Sequence, residues 1–132
     1  MPSLNTVERF VAMVEAGQGI EALSLFYAEH ASMQENGAAP RVGKEALLKF
    51  EHAAQASTTN LRSTCMRPFF VSGDVAVIRW VFEYTTKTGK PVRFEELAYQ
   101  RWENELIVQE QFFYDPAQFK YPAQAPAVAS AA

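Results

Sequence analysis

The hydrophobic period of this chain changes once, near residue 58, and that change limits what it can fold into. Before it, apolar residues recur at helical spacing. Val7, Phe10, Val11 and Val14 fall at i, i+3, i+4 and i+7, with Ser3 placed as an N-cap and Gly17 as a stop, which predicts a helix over 3–16. Ile20, Leu23 and Tyr27 predict a second helix, and Leu47, Phe50 and Ala54 a third after Gly43. Only the short alternation around Ala31–Glu35 interrupts them, as a strand that ends in an acid. After residue 58 the period becomes two. Strand-like runs occupy about 61–71, 75–86, 92–103 and 106–114, separated by Ser72-Gly73-Asp74, by "KTGK" and by Glu103-Asn104-Glu105. Turns this short imply an antiparallel meander.

The second of these runs is two-faced. Ile78, Trp80, Phe82 and Tyr84 share one side and Val77, Arg79, Val81, Glu83 and Thr85 the other. One side is fully apolar or aromatic, and the other is mixed. That suits a sheet covered by helices on one face and partly by a partner on the other. The length of 132 residues bounds the chain to one domain, expected over 1–120, followed by an Ala- and Pro-rich low-complexity tail over 121–132. Ten Phe, five Tyr and two Trp, most of them after residue 68, require either a thick core or an apolar cavity with aromatic walls.

Several function classes fall away on composition. Twelve Lys and Arg are scattered in a chain of net charge −3, which argues against a nucleic-acid partner. No apolar run approaches a membrane span, and the start "MPSLNTVERF" lacks a basic segment followed by an apolar one, so the expectation is a soluble, cytoplasmic protein with no membrane partner. The single Cys65 excludes an internal disulfide and reads as a small core residue. His30 and His52 lie apart with no Cys–His cluster, so no metal or cofactor is expected and neither histidine is assigned a role.

The order of elements, with "GIEALSLFYAEHASMQENGAAPRVGKEAL" and "RWENELIVQEQFFYDPAQF" as its strongest local marks, resembles the nuclear transport factor 2-like superfamily, in particular its SnoaL-like members, over residues 5–116. The resemblance implies a cone-shaped α+β fold, with three N-terminal helices packed on a strongly curved, mostly antiparallel sheet around a hydrophobic pocket. It also implies homodimerisation through the sheet face. Within that superfamily, Glu35 matches the position of the ketosteroid isomerase base, before a Gly/Pro loop one residue shorter here. Phe10 and Ala98 stand where that enzyme has its oxyanion tyrosine and its protonated acid. With both donors replaced, steroid isomerisation by that route is not expected.

Glu35 is therefore the first candidate acid/base residue, the alternative being an ion pair with Arg41 or simple exposure to solvent. Glu96 shares strand parity with Phe94, Ala98 and Trp102. It is either a second acid/base group or half of an ion pair with Arg79 or Arg101, and the several opposite charges in "FEELAYQRW" favour the pair. Glu110 is expected to face outward or towards a dimer partner. Of the tyrosines able to donate to a ligand, Tyr27, Tyr84, Tyr99 and Tyr114, the last is favoured because family members close their pocket at this segment. Phe10, Met13, Met33, Phe50, Phe69, Trp80, Phe82, Ala98, Trp102 and Phe113 are the expected pocket lining, although a filled core needs the same residue types. The resulting expectation is a pocket for a small apolar or carbonyl-containing molecule, serving a cofactor-free isomerase or cyclase. The alternatives are a non-catalytic ligand binder and a protein–protein adaptor.

Overall fold

The computed structural model describes residues 1–119. The expected tail over 121–132 lies outside the described residues. Helix α1 spans Leu4–Glu15, with the Ser3 side chain accepting the Thr6 N–H as its cap, and Gly17 follows at φ +82°, where a side chain would be strained. Helix α2 spans Gly19–Phe26 and α3 spans Lys44–Ala56. The strands are β1 Tyr27–Glu35, β2 Arg41–Val42, β3 Thr58–Cys65, β4 Phe70–Ser72, β5 Val75–Thr86, β6 Pro91–Glu103 and β7 Leu106–Phe113, with a short 3-10 turn at Pro116–Phe119.

Two boundaries differ from the sequence reading. Tyr27 opens β1 in an extended conformation rather than closing the second helix. Its apolar spacing from Leu23 fits either element, and the strand wins because it pairs along β7. The run expected over 61–71 is two strands. Pro68 has no N–H to give to a ladder, so β3 stops at Cys65 and pairing with β5 resumes at Phe70.

One sheet holds all seven strands, in the order β2-β1-β7-β6-β5-β3 with β4 also on β5. Every pairing is antiparallel except β1 with β7, which is parallel. The three helices pack on one face of this sheet. Val7, Phe10 and Val11 of α1, Ala22, Leu23 and Phe26 of α2 and Leu47 of α3 meet Ala76, Ile78 and Trp80 of β5 and Ala98 and Trp102 of β6 in a single core. Phe10 is its centre, with its ring edge-on to Phe26, Tyr27 and Trp102 at centroid distances of 5.6, 6.0 and 6.2 Å. The fold is thus the expected α+β arrangement of three helices on a mostly antiparallel, curled sheet.

The β6–β7 hairpin turns on Asn104-Glu105, both at positive φ, +50° and +65°, as a two-residue primed turn requires. A register shift between Arg101 and Trp102 then slips the pairing, so that Gln100 faces Glu110 and Ala98 faces Phe112. This slip sets which β7 side chains point inward.

Ile78 is fully buried and Leu25 is mostly exposed. Replacing Ile78 with Ala is expected to cost about 2–5 kcal/mol in urea unfolding, against less than about 0.5 kcal/mol for Leu25→Ala.

Candidate functional site

Between the helices and the inner face of the sheet lies a cavity of about 390 Å³. Of the residues expected to line it, Phe10, Met33, Phe50, Trp80 and Phe82 do so, together with Glu35 and Glu96. The remaining expected lining residues do not reach it. Ala98 and Trp102 have the inward parity but are wholly covered, Trp102 by Phe10. Met13 packs against the helical core, and Phe69 borders a separate surface groove beside Leu4 and Arg67. Phe113 is exposed on the opposite face, and its neighbour Phe112 takes the inward position. Tyr114 stands behind the wall: its hydroxyl donates to Glu35 Oε1 at 3.4 Å and its ring packs on Phe94 and Phe119, which line the cavity.

Glu35 ends β1 and receives Arg41 from β2 at 2.7 Å, the ion pair that was its alternative reading. The Arg41 guanidinium lies 3.6 Å from the centre of the Phe50 ring, and its Nε is buried without a partner among the described residues. Glu96 does not form the expected ion pair. Even positions of β6 point inward and odd ones outward, so Arg79 pairs with Glu95 and Arg101 with Glu103 on the outer face. Glu96 is 8% exposed and makes no hydrogen bond or ion pair among the described residues. Burial, reinforced by the charges of Glu110, Glu35 and Glu51, pushes its carboxyl up to about 9.

Glu110 overturns its outward placement: it is 2% exposed and lines the cavity. The Tyr27 hydroxyl donates to one of its oxygens and Gln100 Nε2 to the other at 2.7 Å, while the Trp102 indole N–H donates to Gln100 Oε1 at 3.1 Å. Burial raises the Glu110 carboxyl to about 7 against the opposing pull of these hydrogen bonds. Counting back from the Asn104-Glu105 turn without the slip sets Gln109, not Glu110, opposite Gln100. The readable signal was Gln100 itself, a polar residue on the inward face of β6 that required a partner.

The cavity therefore gathers Glu35, Glu51, Glu96 and Glu110 around one guanidinium, Arg41, within mainly apolar walls. Among the described residues no group of three or more His, Cys, Asp or Glu could hold a metal ion. Nor is any helix long and apolar enough to cross a membrane. The SnoaL-like domain family matches residues 7–110. The chain belongs to the SnoaL-like family. A candidate SnoaL-like polyketide cyclase from Mesorhizobium loti is similar in fold, with a TM-score of 0.74, 23% identity and coverage of 86% of this chain and 100% of that one. A second candidate polyketide cyclase, from Jannaschia, has a TM-score of 0.77 at 14% identity over 93% and 92% of the two chains. An NTF2-like protein of unknown function from Burkholderia pseudomallei has a TM-score of 0.76 at 15% identity over 92% and 97%. No curated protein sequence matches this SnoaL-like chain.

Because Glu96 and Glu110 hold protons in the folded state that an unfolded carboxyl releases near 4.5, the folded chain binds more protons across the interval above that value. Their contribution to stability is fullest below it and is lost as pH rises through about 7 for Glu110 and about 9 for Glu96. Thermal unfolding followed by circular dichroism should show these groups lowering the midpoint as pH is raised from 5 to 9. Glu96→Gln should flatten that fall.

Proposed function

We propose that this SnoaL-like protein binds a small, largely apolar carbonyl compound in the cavity and catalyses a cofactor-free proton transfer of the isomerase or cyclase type. The observation that carries this reading is the pair of unlike carboxyls in one cavity. Glu35 is ion-paired to Arg41, and Glu96 is unpaired and holds its proton to about pH 9. Environments that separate two carboxyls in this way supply one base and one acid. Glu35 takes a proton from the carbon beside the carbonyl. The electron pair moves onto the carbonyl oxygen, which receives a hydrogen bond or the proton from Glu96. Return of the proton from Glu35 to another carbon completes an isomerisation, whereas attack of the enolate carbon on a second carbonyl of the same substrate closes a ring, its π pair going to the oxygen, which takes the proton from Glu35.

Glu96 thus supplies a neutral carboxyl two residues before Ala98, on the same face of β6. It answers the absence of an acid at Ala98 itself. Tyr114 acts through Glu35, positioning the base. The descriptions of the Mesorhizobium and Jannaschia structures as candidate polyketide cyclases support the reaction class. The Arg41 contact, which occupies one oxygen of Glu35, favours a second reading: a binder of the same small apolar ligand without turnover.

Exchange of the α-hydrogens of a panel of small cyclic and aromatic ketones in heavy water separates the two. Glu35→Gln is expected to slow exchange by about 10²–10⁴-fold and Glu96→Leu by about 10²-fold. Exchange unchanged in Glu35→Gln would remove Glu35 as the base, and no exchange above the uncatalysed rate with ketones that bind would leave only the binder.

We also infer a homodimer through the outer sheet face. Leu97, Tyr99 and Phe113 are exposed there, and Leu97 and Phe113 are direct cross-strand partners, so the patch is continuous. Sedimentation velocity should give twice the chain mass of 14.8 kDa for the wild type and the single-chain mass for Leu97→Arg.

A further inference from the structure

One buried titratable group in the cavity has no part in the proton transfer described above. Glu110 is pinned by a chain of hydrogen bonds whose direction is fixed at its far end. An indole N–H can only donate, so Trp102 holds the carbonyl oxygen of Gln100 towards itself, and the Gln100 amide N–H must then turn to Glu110. The Tyr27 hydroxyl donates to the other Glu110 oxygen. Both oxygens are therefore met by donors, the arrangement that favours a carboxylate.

Glu96 has the opposite surroundings. The titratable and charged groups that line the cavity with it are Tyr27 and Glu35 from β1, Arg41 from β2, Glu51 from α3, Tyr84 from β5 and Glu110 from β7. The single cation among them, Arg41, is engaged by Glu35. Glu96 itself is nine-tenths buried, reaches into the cavity and receives no donor among the described residues. Where two carboxyls share a poorly solvated space, the one with donors takes the charge and the one without keeps the proton.

We propose that Glu110 is a positioning residue for a proton. The Trp102–Gln100 chain and Tyr27 direct negative charge to Glu110, and that charge adds to burial in holding Glu96 in its neutral, hydrogen-donating form. The two carboxyls then titrate as a coupled pair, in steps near 7 and near 9. Between those steps the cavity holds one charge on Glu110 and one proton on Glu96. This inference rests on the reading of Glu96 as the acid of the cavity, since only then does its proton serve the reaction.

The test is a pH titration of the side-chain carboxyl carbons by NMR, on the full chain with ¹³C-labelled glutamate and without substrate, with the Glu96 signal identified by its loss in Glu96→Gln. The expected result is a main Glu96 step near 9 with a smaller inflection near 7 as Glu110 ionises. In Glu110→Gln the inflection should vanish and the main step should fall by about one pH unit or more. In Gln100→Leu, which removes one donor from Glu110, the inflection should move to higher pH. A purely structural role for Glu110 would leave the Glu96 step in place. An unmoved step in folded Glu110→Gln, or a wild-type Glu96 curve without the inflection, overturns the proposal. If Glu110→Gln fails to fold, the wild-type inflection and its displacement in Gln100→Leu still decide it. Because no turnover is measured, failure here leaves Glu35-dependent exchange standing, and absence of exchange leaves the titration result standing.

Discussion

The parallel pairing of β1 with β7 is the constraint on which the site depends. Its register sets Met33 beside Glu110 and Glu35 beside Phe112, while the antiparallel register of β6 with β7 sets Gln100 against Glu110. Two ladders sharing one strand thus bring together carboxyls from positions 35, 96 and 110, which the chain separates widely. The aromatic contacts of Phe10 with Phe26, Tyr27 and Trp102 hold α1 against this seam and close the core next to the cavity. Without the parallel ladder, Glu35 would be an acid at a free strand end.

Much of this was legible because two periodicities, 3.6 and 2, report directly on which side of an element is buried. The helices, the inward parity of β6 and the aromatic inner face of β5 follow from them. What periodicity does not report is a slip in pairing. The shift between Arg101 and Trp102 reversed the expectation for β7, exposing Phe113 and burying Glu110. Nor does it separate a cavity wall from a filled core. Trp80 and Trp102 read alike in sequence, yet one lines the cavity and the other is sealed behind Phe10. The ion pair expected for Glu96 fails for a related reason: cross-strand reach does not distinguish the two faces of a sheet, and its charged neighbours stand on the other one.

The cavity is electrostatically unusual for a mostly apolar space. A single guanidinium faces four carboxyls, so charge cannot be neutralised by pairing alone and protons must be retained. The fold meets this constraint in a graded way. Glu35 is given a cation, Glu110 is given two hydrogen-bond donors, and Glu96 is given neither. Three residues of one type thereby acquire three different chemical characters, through their neighbours on β2, β1 and β6.

The same parallel ladder also orders events while the chain folds. β1 ends at residue 35 and its long partner begins only at residue 106, and among the described residues the sole other strand beside β1 is the two-residue β2. Closing so large a loop is slow compared with hairpin formation, and a chain emerging from its N-terminus must wait for nearly the whole meander before β1 can pair. Through that interval β1 presents an open edge carrying Tyr27, Ala28 and Ala31, which end up buried. An unpaired edge with apolar side chains invites pairing with another chain. The step that completes the cavity thus also covers an edge on which another chain could pair.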